Sequence, residues 1–292
     1  MTWESYQRAW SLHAQSAAFR RKRERSLAII RQAMSQSTRM VVSLSGGKDS
    51  VAMAGLVEEC GGAESMPLAH ATSAFNFPDT MAVCESVAER LNQDFIVVEP
   101  DAERVEDAVK ETCKHYGTPL PQPGMQGFDE WSLLEAIPRT LNIDEPEAME
   151  RILNVSAGGT TMVLYVIQAD FDGSYVGLRA DESKGRRWYS KSWGPIHKRA
   201  LDDKTQVCPL LDWTALDVFA YCTARELPIH PYYRAAWEAG PMREPPDRIR
   251  VDLALFRDTY AADGGVELIR RIYPALFRRL SAIRPEIRRH LV

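Results

Sequence analysis

Cysteine is scarce in this chain of 292 residues, which has five cysteines scattered between positions 60 and 222. No two of them are separated by two residues, as the ligands of zinc sites and iron–sulfur clusters commonly are. The odd count also does not fit a framework of paired disulfides. We therefore expect reduced, mostly buried thiols and no iron–sulfur cluster.

Long apolar runs are missing as well. No stretch approaches the ~20 apolar residues that a membrane-spanning helix needs. Residues 1–25 lack the apolar core of a signal peptide. We expect a cytoplasmic protein that does not enter a membrane.

Lysine is the third scarce residue, with eight among the 36 lysines and arginines. Arginine supplies the others, and its planar guanidinium is suited to bidentate contacts with phosphate. The excess of arginine indicates either phosphate handling or an arginine-rich genome. The formal net charge of −4 argues against a protein that coats nucleic acid by bulk charge.

The composition that remains is that of a globular protein, with 45% hydrophobic and 26% charged residues. Short β-branched runs alternate with helical patterns along the chain. This alternation predicts an α/β fold with a doubly wound parallel sheet. The predicted strands are 40–45, 66–74, 95–98 and 174–178, and the helices between them are 50–59, about 80–91 and about 103–115.

Three parts are predicted along the chain. They are an N-terminal helical segment at 1–36, a main α/β domain at 37–230 with an insertion at about 118–158, and a helical C-terminal region at 231–292. The later elements that we predict are a buried helix at 160–169, a polar loop at 179–204, a short strand at 209–212, a capped helix at 214–225, and helices at 254–260 and 265–291.

The most informative stretch is Ser-Gly-Gly-Lys-Asp-Ser at 45–50, between a predicted buried strand and a predicted helix. Adjacent glycines allow a tight turn and the close approach of a ligand to the backbone. Free amides at the helix start, together with the helix dipole, favour an anion there. Lys48 adds charge for phosphate oxygens, and Asp49 can organise the loop or hold Mg²⁺. The alternative is a glycine turn with Ser50 as a helix cap.

This motif is not a Walker P-loop, because its two glycines are adjacent rather than separated by four residues. It resembles the pyrophosphate loop of the PP-loop ATP pyrophosphatases, and three further stretches resemble the phosphoadenylylsulfate reductase branch of that superfamily. These stretches are Phe77–Thr80, Gly177–Arg186 and Cys208–Val218. The resemblance implies a fold like that of the adenine nucleotide alpha hydrolases and cleavage of ATP into AMP and pyrophosphate.

The resemblance also implies roles for individual residues. Catalysis would involve Lys48, Asp49, Arg179 and Arg186. ATP would be bound by Ser43, Ser45, Gly46, Gly47, Lys48, Asp49, Ser50 and Arg179, with adenine over the strand ends near Ser43 and 71–75. Arg179 also follows a predicted strand, where open α/β sheets bind ligands. Mg²⁺ would be held by Asp49 and Asp181, although Asp181 and Glu182 could equally pair with the nearby arginines.

The chain departs from the reductases in one respect: no cysteine follows Cys222, so their C-terminal nucleophile is missing. We therefore expect ATP-dependent activation of a substrate for sulfur transfer, as in the related DNA phosphorothioation systems. Two alternatives remain open. One is a sulfonucleotide reductase or a sulfurylase-type enzyme, and the other is a regulatory subunit that binds a nucleotide without chemistry.

Partners are indicated only by weak signals. The arginine-rich ends, at 20–25 and 270–289, either contact nucleic acid or form solvated helix faces. Cys113 and Cys208 are either sulfur relays that receive sulfur from a donor protein or buried structural thiols. The sequence predicts no oligomeric state.

Overall fold

The computed structural model describes residues 2–37, 39–62, 66–72, 76–99, 166, 169–199, 203–239, 249, 251, 265–283, 288 and 291. Six strands in this part of the chain form one sheet: β1 (Met40–Ser43), β2 (Leu68–Ala71), β3 (Phe95–Val98), β4 (Gly173–Tyr175), β5 (Ile196–Lys198) and β6 (Thr205–Val207). Their order across the sheet is β3-β2-β1-β4-β6-β5.

The centre of the sheet is parallel. Strand β1 pairs in parallel with β2 on one side and with β4 on the other, and β3 and β6 extend the parallel part outward. Met40, Val41 and Val42 are all fully buried, as expected for a strand covered on both faces. Val41 packs on the same face as Val166, whereas Met40 and Val42 belong to the larger core on the opposite face. The predicted doubly wound parallel sheet is confirmed.

Helices surround this sheet. The described helices are α1 (Trp3–Ala14), α2 (Ala17–Gln36), α3 (Lys48–Glu59), α4 (Thr80–Leu91), α5 (Lys184–Trp193), α6 (Ala215–Ala224), α7 (Tyr232–Ala239), α8 (Gly265–Ile272) and α9 (Pro274–Ile283), with a 3-10 turn at Ala180–Glu182. Thr2, Ser16 and Thr214 cap the starts of α1, α2 and α6, as their hydroxyls accept backbone N–H bonds. None of these described helices has the length and apolar character needed to cross a membrane.

Three predictions for the second half of the chain are wrong. The stretch 179–204 is not a loop, because it contains the 3-10 turn, α5 and β5, and β5 pairs antiparallel with β6. Residues 209–212 form turns, and the strand lies just before them, in β6. The helix predicted at 265–291 is divided into α8 and α9, since proline at 274 lacks an amide hydrogen and starts a new helix.

Some predictions cannot be compared with the structure. The helix at 103–115 and the insertion lie outside the described residues, as do 254–260 and most of 160–169. The division of the chain into three parts stays a prediction.

The N-terminal helices pack on the main core. Trp10 of α1 stacks on Phe219 of α6, with ring centroids 4.5 Å apart. Trp213 donates from its indole nitrogen to Ser26 of α2, whose hydroxyl donates in turn to the carbonyl of Pro209. Helix α1 therefore packs on α6, which itself lies against α3, the helix that follows the loop at 45–50.

Candidate functional site

The loop between β1 and α3 is a tight turn packed against the start of α4. Gly46 has φ +75°, a left-handed conformation that favours glycine. A Cβ atom at Gly46 would lie 3.0 Å from the Thr80 methyl group and 3.4 Å from the Cys84 sulfur. The first loop glycine is therefore required by both backbone conformation and space, and the Phe77–Thr80 stretch forms the wall behind it.

The loop is held by its own serines. The Ser45 amide donates to the Ser50 hydroxyl at 3.0 Å, and that hydroxyl donates to the Gly47 carbonyl at 2.9 Å. The amides of Gly46 and Gly47 have no hydrogen-bond partner among the described residues. These two backbone donors, at the start of a helix, can accept an anion such as phosphate.

One predicted anion donor is already engaged. The amide of Lys48 donates to the hydroxyl of Tyr233, on α7, at 3.1 Å. The Lys48 ammonium lies 5.5 Å from the centroid of the same ring and 5.9 Å from that of Phe219. Tyr233 was not identified from the sequence, because nothing local to α7 indicates a contact with a loop 185 residues away.

Lys48, Asp49 and Arg179 form a buried charge cluster. The Lys48 side chain is 2% exposed and donates to Asp49 Oδ2 at 3.0 Å. The Arg179 side chain is 4% exposed and donates from Nε to Asp49 Oδ1 at 2.5 Å. The structure thus brings together three of the four predicted catalytic residues, with Asp49 between the two cations.

The cluster controls the protonation of Asp49. Burial by itself raises the pKa of this carboxyl group, but the ammonium of Lys48 and the guanidinium of Arg179 outweigh that effect. The pKa of Asp49 therefore lies below its ordinary value, and the group is a carboxylate at neutral pH.

Arg179 is also bound from its own loop. Its Nη1 donates to Asp181 Oδ1 at 2.5 Å, and Glu182 Oε1 lies 3.8 Å from its Nη2. Glu182 in turn pairs with Arg186. Of the two alternatives for Asp181 and Glu182, pairing with arginines is therefore observed. Arg186 joins the cluster indirectly, through Glu182, and its side chain is 35% exposed.

Glycine at 177 brings Arg179 to the loop. A Cβ atom at Gly177 would lie 2.8 Å from the backbone carbon and oxygen of Asp49 and 2.9 Å from the amide nitrogen of Ser50. Only glycine lets the chain after β4 touch the first turn of α3. The site therefore forms where β1 and β4 both end, at the point where the strand order reverses.

Two buried histidines lie beside this region. His70 on β2 donates from Nδ1 to the Leu44 carbonyl at 2.8 Å and accepts at Nε2 from Asn76. His230, before α7, accepts the Tyr232 amide at Nδ1 and faces Thr80 at 3.3 Å through Nε2. Burial lowers the pKa of both, to about 4 for His230. Both are therefore neutral at pH 7.

The remaining predicted positions are Ser43, the stretch 71–75, Cys113 and Cys208. Ser43, at the end of β1, pairs in register with Ala69, but 73–75 and Cys113 lie outside the described residues. Cys208 is fully buried, and burial raises its pKa to about 11, which favours a structural thiol.

Five cations of the arginine-rich ends form ion pairs within the described part of the chain: Lys22, Arg23, Arg25, Arg270 and Arg271. Lys22 pairs with Asp217 at 2.6 Å, and Arg25 pairs with Asp212. Glu267, 1% exposed, receives the guanidinium groups of both Arg270 and Arg271. Lys22 and Arg25 connect α2 to α6 and to the turn before it, whereas the Glu267 pairs lie within α8. These engaged cations weaken the interpretation of the ends as a nucleic-acid surface.

A divalent cation has limited protein ligands here. Among the described residues, no group of three or more His, Cys, Asp or Glu side chains could hold a metal ion. Mg²⁺ usually takes only one or two carboxylates and completes its shell with phosphate oxygens and water. Asp49 and Asp181, the predicted Mg²⁺ ligands, both pair with Arg179, and their binding of Mg²⁺ stays a prediction.

Comparison with known proteins gives one family. The model for the phosphoadenosine phosphosulfate reductase domain matches residues 39–272. The phosphoadenosine 5'-phosphosulfate reductase of Xanthomonas axonopodis pv. citri is 27% identical over 175 residues, which are 60% of this chain and 57% of that protein. Sulfate adenylyltransferase subunit 2 of Methylococcus capsulatus is 26% identical over 232 residues, with 72% of this chain and 65% of that protein covered.

The chain thus spans less than two thirds of the length of both relatives. Among solved structures, phosphoadenylyl-sulfate reductase from Candida auris, in its phosphate complex, superposes with a TM-score of 0.45 at 12% identity. That superposition covers 79% of this chain and 90% of the other.

Proposed function

The chain belongs to the phosphoadenosine phosphosulfate reductase domain family, and from this premise we propose that it cleaves ATP between the α- and β-phosphates. The products are AMP and pyrophosphate, with AMP either released or transferred to a substrate. The reaction depends on Mg²⁺ and activates an acceptor for sulfur transfer. DNA is the acceptor suggested by the likeness to phosphorothioation systems.

The observation that carries this proposal is the buried cluster of Lys48, Asp49 and Arg179 beside the amides of Gly46 and Gly47, which have no hydrogen-bond partner in the described part of the chain. Two cations and two backbone donors at the carboxyl ends of parallel strands are the groups that a polyphosphate needs. Because the side chains of Lys48 and Arg179 are nearly inaccessible to water, their charges act in a medium of low dielectric constant.

In the proposed reaction, the loop binds the pyrophosphate end of ATP. Lys48 and Arg179 stabilise the negative charge that grows as the bond to the α-phosphate breaks. Asp49 keeps both cations oriented before ATP arrives, and Arg186 assists through Glu182. Mg²⁺, held with ATP by Asp49 or Asp181, would supply further charge neutralisation.

The main alternative is a sulfonucleotide enzyme. The names of the Xanthomonas and Methylococcus relatives favour it, whereas the described cysteines offer no reactive thiolate, because burial raises the pKa of Cys84 to about 12 and of Cys208 to about 11. The other alternative, a regulatory subunit without chemistry, is disfavoured by the intact charge cluster.

The experiment is a product analysis. The protein is incubated with Mg²⁺ and with ATP labelled at the α- or the γ-phosphate, in the presence and absence of DNA. We expect AMP and pyrophosphate from the native chain and neither product from Asp49→Asn, which leaves Lys48 and Arg179 without their shared carboxylate. Circular dichroism checks that the variant is folded. ADP with phosphate, or no turnover under any condition, contradicts the proposal.

A further inference from the structure

One exposed face of helix α5 combines three cations with a tryptophan. Lys184, Arg187, Trp188 and Lys191 occupy positions i, i+3, i+4 and i+7 and so lie on one face of the helix. All four are exposed. Arg186, on the other side of the same helix, turns toward Glu182 instead.

This face carries positive charge without compensation. Helix α5 contains four lysines and arginines and no acidic residue. Lys184, Arg187 and Lys191 form no ion pair within the described ranges, in contrast to Lys22, Arg23, Arg25, Arg225, Arg270 and Arg271. A local excess of cations in a chain of net charge −4 indicates an anionic partner for this face.

Trp188 indicates what kind of anion. Its side chain is 66% exposed, whereas Trp10 and Trp213 are buried. Trp193, at the end of α5, is 46% exposed and lies on the opposite side of the helix, so Trp188 is the single large ring of this face. Proteins that bind unpaired bases combine an aromatic ring, on which a base stacks, with cations that contact the phosphates. The exposed ring of Trp188 has cations on both sides of it along one helix face and matches that arrangement. A single ring offers little to a lipid bilayer, since a helix bound at a membrane surface needs a continuous apolar face.

We propose that this face, formed by Lys184, Arg187, Trp188 and Lys191, binds single-stranded nucleic acid. One base stacks on Trp188, and the three cations contact the backbone phosphates on either side. In a duplex the bases are stacked on one another, so no base would be free to stack on the Trp188 ring. The proposal extends the proposed function by giving the acceptor a binding surface, but its observations do not depend on ATP cleavage.

The helix that carries this surface begins next to the candidate site. Helix α5 starts directly after the turn that carries Arg179, and Arg186 connects the helix to Arg179 through Glu182. A strand bound along α5 would therefore have one end near the turn that carries Arg179, which is among the residues proposed to activate it. This location differs from the arginine-rich ends that the sequence suggested.

The test is fluorescence anisotropy with labelled oligothymidylate and oligouridylate, at several salt concentrations. We expect Trp188→Ala to weaken binding about tenfold and Trp188→Phe to restore most of it, because stacking needs only an aromatic face. Replacing Lys184, Arg187 and Lys191 together by alanine should reduce the slope of log K against log salt by about 2, since each phosphate contact on a single strand contributes about 0.7. The relative affinities for the two oligonucleotides identify DNA or RNA as the strand.

Matched controls keep the test specific. Leu12→Ala removes another exposed apolar side chain, 70% accessible, and Arg8, Arg31 and Arg90 together are three exposed cations on α1, α2 and α4, outside the arginine-rich ends. Neither control should change binding. The proposal is overturned if the native chain binds a duplex of equal length as tightly, if the controls reduce binding as much as the α5 variants, or if no oligonucleotide binds. ATP cleavage is measured on the same preparations, so loss of one function is distinguished from loss of the other.

Discussion

Asp49 is the residue on which the candidate site depends, because it is the common acceptor for Lys48 and Arg179. Removing one partner from a buried ion cluster leaves an uncompensated charge. The free-energy cost of that charge exceeds the free energy that the intact cluster contributes to stability. The Asp49 carboxylate therefore holds Lys48 and Arg179 in place.

At the residue scale, the hydroxyl of Tyr233 gives a separable prediction. Tyr233→Phe removes the acceptor of the Lys48 amide but keeps the ring beneath the ammonium, so we expect the free energy of unfolding to fall by about 1 kcal/mol. Tyr175→Phe is the matched control, since the Tyr175 hydroxyl is buried and has no hydrogen-bond partner among the described residues. Urea denaturation should show no loss, or a gain, for Tyr175→Phe. Equal losses for the two variants would contradict the assignment of the Tyr233 bond.

At the scale of elements, the contact between the end of β4 and the first turn of α3 is the feature to test. Gly177→Ala would place a methyl group within 2.8 Å of the Asp49 backbone, so we expect a loss of about 2 kcal/mol in stability, together with weaker ATP binding. Gly185→Ala is the control, because the nearest atom to its Cβ is the Ser183 hydroxyl at 3.9 Å. Alanine there should stabilise α5 by about 0.5 kcal/mol. Similar losses for both variants in urea denaturation would show that Gly177 is not a close contact.

The packing of α4 against the segment before α7 predicts a dependence on pH. His230 has its pKa lowered to about 4 by burial, against about 6.5 in the unfolded chain. The unfolded state therefore binds more protons between these values, and stability falls as pH falls through that window. We expect His230 to account for a loss of about 2 kcal/mol between pH 7 and pH 5.

The measurement for His230 is urea denaturation at both pH values, on the native chain and on His230→Gln. Burial also lowers the pKa values of His70 and His197, so the variant should keep a part of the pH dependence that belongs to those residues. The difference between the two proteins isolates His230. If that difference is the same at pH 5 and pH 7, the histidine is not buried as the structure has it.

At the scale of the whole molecule, the sequence predicts those strands and helices that a local pattern of apolar and polar residues determines. The strand at 95–98 is predicted with its observed bounds because four apolar residues stand between polar ones. Helix α5 is missed because its residues are mostly polar and its exposed face is cationic, so no apolar periodicity marks it. Strands β5 and β6, which follow α5, contain three residues each and are too short for a sequence pattern to define.

For the candidate site, too, the sequence predicts individual residues but not the contacts between them. Lys48, Asp49 and Arg179 could be singled out from motifs, each next to a predicted strand end. Their pairing could not be predicted, since Arg179 lies 130 residues from Asp49 and the contact depends on the strand order. Tyr233 has no local signal at all. The residues that carry the proposed chemistry can therefore be identified in the sequence. The tertiary contacts that set their charge and orientation can be identified only in the structure.

Cleavage of ATP is observed most directly in a time course of MgATP with the purified chain, followed by phosphorus NMR, which detects every phosphorus-containing product at once. We expect AMP and pyrophosphate to appear in parallel, at a rate that Asp49→Asn reduces to that of buffer alone. The appearance of ADP and inorganic phosphate, or an equal rate with the Asp49→Asn variant, would contradict this expectation.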